Sequence, residues 1–312
     1  MSGPFGSQHW MYASGGFYPY SIDQSLRFND NDSAYLTRTP ASSGNLTTWT
    51  WSCWVKRCNL TDGTLFSANY NSNQILFSSD RIYFEHNDGS NNNYKISTDK
   101  LRDTSAWYHL VFVWDTSNAT AADRMRMYIN SRRVTNFDSS SNPSLNVSSK
   151  FNTAIAHEIG HRINPSNYYL DAYLAEVHFI DGTALEPTSF GETSNGVWIP
   201  KEYTGSHGTN GFYLPFDDSS AIGDDESANT NDWTANNLAA SDVVPDSPTN
   251  NFGTMNPLDK NSMTVSEGSL KVVPSADYKA IRGTFGIPTS GKWYFEMKRV
   301  NTSLFITVFL LL

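Results

Sequence analysis

The chain is 312 residues long, carries a net charge of −9, and is 38% hydrophobic, 14% aromatic and only 17% charged. Ser, Thr and Asn fill the gap, a balance that argues against a helical protein and for short strands joined by polar turns. The acidity is local: Glu202 to Asp259 holds ten acids and no Lys or Arg, which leaves the rest at +1 with no basic stripe for nucleic-acid phosphates.

Residues 1–24 set Phe5, Trp10, Tyr12, Phe17, Tyr18 and Tyr20 among glycines and serines. Their spacing fits neither strand nor helix. It marks an N-terminal arm that packs on its own domain or, through Phe5, Trp10, Tyr12, Phe17 and Tyr18, anchors a neighbouring subunit. MSGPFGSQHW lacks the basic and apolar regions of a secretory leader. Residues 25–40 read as two short strands about the Asn29–Ser33 turn. Thr47 to Lys56 alternates: Trp49, Trp51, Cys53 and Val55 form the expected core face, while Trp54 falls on the other, beneath a loop or exposed. Cys53 and Cys58 lie on opposite faces and are poorly placed to bridge.

LFSAN, QILFSS, RIYFEHN and YKISTD follow at short spacing, separated by Asn, Asp and Gly turns, the rhythm of an antiparallel sandwich. Ala106 to Asp115 is the strongest strand and Arg124 to Asn130 its hairpin partner. Tyr169 to Asp181 alternates again. Glu192 to Lys260 follows neither period yet keeps Trp198, Tyr203, Phe212, Tyr213, Phe216 and Trp233, too many aromatics for a disordered linker. An ordered, extended connector is expected, draped on the sandwich or on a neighbouring subunit. From Met263, TVSEGSLKVVP, AIRGTFGIP and SGKWYFEMKRV read as strands of a second β domain. The closing LFITVFLLL is shorter than the ~20 apolar residues a membrane-spanning helix needs, so no membrane insertion is expected.

The strings SLRFN, YLTRTP, TWTWSCWVK, AWYHLVFVWD, MRMYINSRRV and YYLDAYLAEVHFIDG resemble successive strands of a laminin-G-like, concanavalin A-like lectin/glucanase domain. The version in structural proteins of marine bacteriophages is the most similar, over roughly residues 20–260. That family carries Gly after Asn in the M-Y-I-N turn. Here Ser131 takes its place, although Ser tolerates positive φ less well. GKWYFEMKRV resembles the opening of a SPRY-type sandwich. The resemblance implies an all-β fold: an antiparallel jelly-roll sandwich over 25–191 after the arm 1–24, an acidic connector over 192–262, and an incomplete SPRY-like segment over 263–312.

Two strings could carry catalysis. His157-Glu158-Ile159-Gly160-His161 matches HExxH, but Gly160 and Pro165 oppose the helix that a zinc site needs, and no third ligand follows at a suitable spacing. Retaining glucanases on this fold place two carboxylates ~5–5.5 Å apart on one strand face. Ala175 to Asp181 offers only Glu176, with His178 two residues on, and Asp181 on the opposite face. The expectation is a non-enzyme without a cofactor.

Binding remains. Lectin-like sandwiches stack an aromatic on the sugar and read its hydroxyls with Asn, Asp and backbone groups. Tyr70, Asn71, Asn87, Asp88, Tyr94 and Tyr168 in loops, with Glu176 and His178, are the candidate ligand residues. Asp115 and Asp181 are the candidate Ca²⁺ ligands that the family resemblance suggests. The expected function is that of a phage virion component, a tail fibre or capsid decoration on the particle surface. It would bind host surface polysaccharide and contact other virion proteins as a homo-oligomer, a trimer in the usual fibre geometry. A purely structural spacer is the alternative, and a glycan depolymerase comes third.

Overall fold

The computed structural model describes residues 17–70, 72–163, 166–276, 279–287, 290–292 and 294–298. Phe5, Trp10, Tyr12 and Asn71 therefore lie outside the described residues. The chain begins with β1 (Ser25–Phe28), β2 (Tyr35–Arg38), β3 (Thr48–Arg57), β4 (Gly63–Ala68), β5 (Asn73–Ser78), β6 (Arg81–Asn87) and β7 (Asn92–Lys100). It continues through β8 (Tyr108–Asp115), β9 (Met125–Ile129), β10 (Arg132–Arg133), β11 (Phe137–Ser141), β12 (His157–Ile159) and β13 (Ala172–Asp181). The connector adds β14 (Gly191–Ser194), β15 (Val197–Pro200), β16 (Phe212–Leu214), β17 (Thr234–Asn236) and β18 (Val243–Val244); β19 (Thr264–Ser266) and β20 (Lys271–Val273) close the described strands.

Two eight-stranded antiparallel sheets face each other. The first runs β10-β9-β8-β3-β13-β1-β18, with β16 also paired to β13; the second runs β11-β7-β6-β5-β4-β12-β2-β17. The alternation of β3 turns Trp49, Trp51, Cys53 and Val55 into the interface, all fully buried. There Trp51 stacks on Phe66 of the second sheet with centroids 5.8 Å apart, and Trp49 meets Phe84, Phe151 and Phe179. Cys53 and Cys58 are both buried and free.

The connector belongs to the sandwich. β16 and β18 extend the first sheet, and β17 extends the second beside β2. Phe216, Ile222 and Trp233 of the connector enter the core between the sheets, and other parts of it lie over the outer face of the first sheet. Trp54 is accordingly buried there with Ile22, Trp107, Tyr173 and Ala175, against Trp198 and Val244. Lys56, also on this outer face, is fully buried and donates from Nζ to Asp246 Oδ2 (2.7 Å), Asn251 Oδ1 (2.8 Å) and the Phe252 carbonyl (2.7 Å). Trp107 Nε1–H donates to the other Asp246 oxygen at 3.1 Å. The described end of the arm takes part too. Ile22 packs beside Trp54, and its N–H donates to Thr249 Oγ1 at 2.9 Å. Phe17 stays 38% exposed, edge-on to Tyr18 at 4.9 Å.

The β9–β10 hairpin turns on Asn130 (φ 47°) and Ser131 (φ 69°), a type I′ turn with both central residues left-handed. The expected strands in AIRGTFGIP and SGKWYFEMKRV do not form among the described residues, where only the β19–β20 hairpin is regular. Tyr294 is 86% exposed there and Phe285 and Phe295 about half exposed, so the segment has no sheet face to bury.

Ser131→Gly removes the left-handed penalty and should stabilise by about 0.5–1 kcal/mol, a rise of roughly 1–3 °C in thermal melts. Asp246→Ala strands the Lys56 charge and should cost about 3–5 kcal/mol in denaturant titration, whereas the double Lys56→Met/Asp246→Leu variant should lose less.

Candidate functional site

A sandwich has two outer sheet faces. On the first sheet that face is closed. β13 carries a β-bulge between Ala175 and His178, centred on Glu176 at φ 50°. The bulge resets the alternation, so that Ala172 and Leu174 before it and Val177 and Phe179 after it all enter the main core. Glu176 and His178 then lie under the connector, 6% and 3% exposed. Tyr20 and Tyr213 donate their hydroxyls to Glu176 at 2.9 and 2.7 Å. The Tyr213 ring lies parallel to the His178 ring at 4.3 Å, and His178 Nδ1 is 3.2 Å from His207 Nε2. The ligand groove expected at Glu176 and His178 is thus filled by the chain's own arm and connector.

The outer face of the second sheet is different. Its register sets Thr37, Glu158, Ser67, Gln74, Glu85, Tyr94 and Ser141 opposite one another across β2, β12, β4, β5, β6, β7 and β11. Antiparallel partners share a face, so this is one continuous polar row. Inner residues alternate with it: Leu36, Ile159, Phe66, Ile75 and Phe84 are buried in the core. Within the row Gln74 Nε2 donates to Glu85 Oε2 at 2.6 Å. Beside it, Tyr83 packs edge-on to Tyr94 at 6.1 Å. Burial pushes the Tyr83 hydroxyl pKa up, and the neighbouring Glu85 charge adds to the shift, so this phenol stays a donor. At the β12 end His161 stacks on Tyr169 at 4.2 Å and leans on Tyr35 at 5.3 Å. Tyrosines therefore flank a floor of carboxylate, amide and hydroxyl groups that is itself buried: Ser67, Gln74, Glu85 and Glu158 are 1%, 3%, 5% and 9% exposed. Glu158 and Glu85 are three strands apart, roughly 14 Å between backbones.

Of the expected ligand residues, Tyr94 sits in this row. Tyr168 lies at its β12 end, 37% exposed, with the Arg162 guanidinium 4.5 Å over its ring. Tyr70, Asn87 and Asp88 gather instead at the β4–β5 and β6–β7 loops. Tyr70 donates to the Asp88 carbonyl at 3.2 Å, under the Lys150 ammonium at 4.2 Å. Asn87 Oδ1 accepts the Gly89 N–H, and Asp88 Oδ1 those of Ser90 and Asn91. These side chains serve their own turns. The residues missed by the sequence reading are Glu158, Ser67, Gln74, Glu85 and Tyr83; only strand register brings them together.

Asp115 and Asp181 do not share a site. They pair with Thr48 and Trp49, neighbours of opposite orientation on β3. Asp181 accepts from Asn45 N–H (2.8 Å), Asn152 Nδ2 (2.6 Å) and Asn210 N–H (3.1 Å), so its oxygens are engaged. Among the described residues no three His, Cys, Asp or Glu side chains cluster to hold a metal. His157 and His161 also diverge. His157 points into the core between Phe66 and Phe151, with Nε2 accepting the Asn152 N–H (3.1 Å) and Nδ1 donating to the Ile155 carbonyl (2.8 Å).

The sequence profile of the concanavalin A-like lectin/glucanases superfamily matches residues 29–189, over half of the chain. The chain belongs to that superfamily. No curated protein matches it by sequence. Among solved structures it is similar to the heptameric SAP-like pentraxin of Limulus polyphemus, at 17% identity over 53% of this chain and 78% of that one, with a TM-score of 0.38. It is also similar to a candidate carbohydrate-binding protein of Bacteroides ovatus, at 13% identity over 70% of this chain and 59% of that one (TM-score 0.43). A third is the LG1-3 region of the laminin alpha2 chain, at 16% identity over 58% and 33% (TM-score 0.28). No helix among the described residues is long and apolar enough to cross a membrane.

Burial lowers the pKa of several histidines from the ordinary 6.5: His86, His157 and His207 to about 4 and His109 to about 3, the last with a smaller contribution from the His178 charge. Unfolded, they bind protons as pH falls below ~6.5, while the folded protein refuses them until about 4. Stability therefore falls on acidification, by roughly 1.4 kcal/mol per pH unit for each of His86, His109 and His157. Burial raises Asp171 to about 7, which opposes this as a single group. The melting temperature should drop steadily from pH 6.5 to 4.5; a flat profile would contradict the burial of these rings.

Proposed function

We propose that the sandwich is a carbohydrate-binding module whose ligand lies along the outer face of the second sheet. The observation that carries this reading is the polar row Glu158, Ser67, Gln74, Glu85 and Tyr94, flanked by Tyr35, Tyr83 and Tyr169; Ser67, Gln74, Glu85 and Glu158 are buried, and the half-buried Tyr83 and Tyr94 are the groups a ligand would meet first. Tyrosine faces suit the apolar side of a pyranose, and carboxylates and amides its hydroxyls. The module binds glycosidic linkages without cleaving them.

The module is carried on a phage particle as a tail fibre or capsid decoration, oligomeric and in contact with other virion proteins, and it adsorbs to host surface glycans. Support comes from the resemblance of residues 20–260 to structural proteins of marine bacteriophages. A purely structural spacer is the second reading. It is favoured by Leu258, Leu270, Phe285 and Phe295, large apolar residues about half exposed toward the C-terminal end.

A glycan array probed with the full chain should give selective signal on host-envelope saccharides, and Tyr94→Ala or Gln74→Ala should weaken titrated binding ~10-fold or more. Flat arrays, or binding indifferent to both variants, would remove the carbohydrate reading. Labelled antibody on intact particles locates the protein, and its absence from virions would end the assignment to the particle.

A further inference from the structure

The string His157-Glu158-Ile159-Gly160-His161 keeps a chemical arrangement although its two histidines diverge. Glu158 sits on the outer face of β12. Gly160, at φ +89°, turns the chain, and a Cβ there would meet Phe28 at 2.5 Å, so the turn is specific to glycine. His161 thereby leaves the inner face and returns over the row. Its Nδ1 hydrogen-bonds Glu158 Oε2, and its Nε2 lies 3.1 Å from Ser166 Oγ. A nucleophile, a base within its reach and a carboxylate that orients the base are the three parts of an acyl-transfer triad, recognised by geometry rather than by fold.

The supports of this arrangement are structural. The Tyr169 ring stacks on His161 with 16° between planes, and Tyr35 closes the other approach. Ser67 Oγ donates to the His161 carbonyl at 2.8 Å. Arg162 and Asn167 exchange two backbone hydrogen bonds, each 3.1 Å, which anchors the residue next to Ser166 beside the imidazole. His161 and Glu158 are 5% and 9% exposed, whereas Ser166 is exposed. A base sheltered from water behind a solvent-facing hydroxyl is the order an acyl transfer needs. With Nδ1–H donating its hydrogen bond to Glu158, the ring presents Nε2 as acceptor to the serine.

We infer that Ser166, His161 and Glu158 form a hydrolytic triad that removes ester-linked acyl groups from a saccharide seated on the outer face of the second sheet. The choice of a saccharide rests on the binding reading above; the triad itself does not. Ser166 Oγ attacks the ester carbonyl as its proton passes to His161 Nε2. The C–O bond to the sugar breaks, and the sugar oxygen leaves with that proton. Water then gives a proton to the same nitrogen and attacks the acyl-serine. The carboxylic acid departs and Ser166 recovers its proton. Ester and water become alcohol and acid, with no further reactant.

A fluorophosphonate probe needs no saccharide and reports the triad alone. The full chain should form one covalent adduct, mapped by peptide mass to Ser166. The adduct should be absent in Ser166→Ala and form ~10²-fold more slowly in Glu158→Gln, both with wild-type circular dichroism. Acetate release from acetylated oligosaccharides should follow the same order. No adduct, an adduct that persists in Ser166→Ala, or equal rates in Glu158→Gln would overturn the triad. Labelling of Ser166 without any glycan binding would retain the triad and discard the saccharide.

Discussion

The strand Ala172–Asp181 has no solvent side, and the rest of the molecule follows from that. Its bulge at Glu176 places a non-glycine residue at φ 50°, a conformation that costs about 1–2 kcal/mol, and sets a carboxylate 6% exposed beneath the connector. Neither would persist without compensation. Two tyrosine hydroxyls supply it, one from the arm and one from the connector, both donating to Glu176. The arm and connector are therefore structural parts of the sandwich. With the first sheet closed in this way, the polar row of the second sheet keeps the half-buried Tyr83 and Tyr94 toward its outer side.

The acidic connector obeys the same constraint. Its charge suggests a solvated tail, yet Asp225, Asp242 and Asp246 are spent internally, while Glu202, Asp217, Asp218, Asp224 and Glu226 stay exposed. Asp246 holds buried Lys56, and Asp242 pairs with Arg27 at 2.6 Å. Asp225 accepts backbone N–H groups from Tyr213, Ser227 and Asn231. A buried pair such as Lys56–Asp246 adds little net stability over an apolar pair of the same size, but a lone partner would be costly. It acts as a register pin, fixing where the connector crosses the sheet.

The sandwich class, the core face of β3 and the strand order along the chain were legible from alternation and turn chemistry. The covered face was not. Period-2 reasoning put Glu176 and His178 on one strand face as candidate ligand residues, because an isolated Glu gives no bulge signal where Gly or Asn would. A signal was present in the apolar residues of both parities, Leu174 and Ala175, then Val177, Phe179 and Ile180, which mark a strand buried on both faces. The polar row was invisible for another reason. Glu158, Gln74 and Glu85 lie on three strands, and sequence gives their alternation but not their register.

The HEIGH string shows why a motif has no meaning apart from its backbone. On a helix, residues four apart share a face and His157 and His161 could grip one ion. In an unbroken strand they would share a face as well, and His161 would be buried beside Ile159. Gly160 abolishes both outcomes by taking a φ open only to glycine at this packing. One histidine is left as a core ring bonded to Asn152 and Ile155, while the other is brought back over Glu158, three residues earlier. The same five residues thus lose a metal site and gain an ordered imidazole at the edge of the second sheet's polar row.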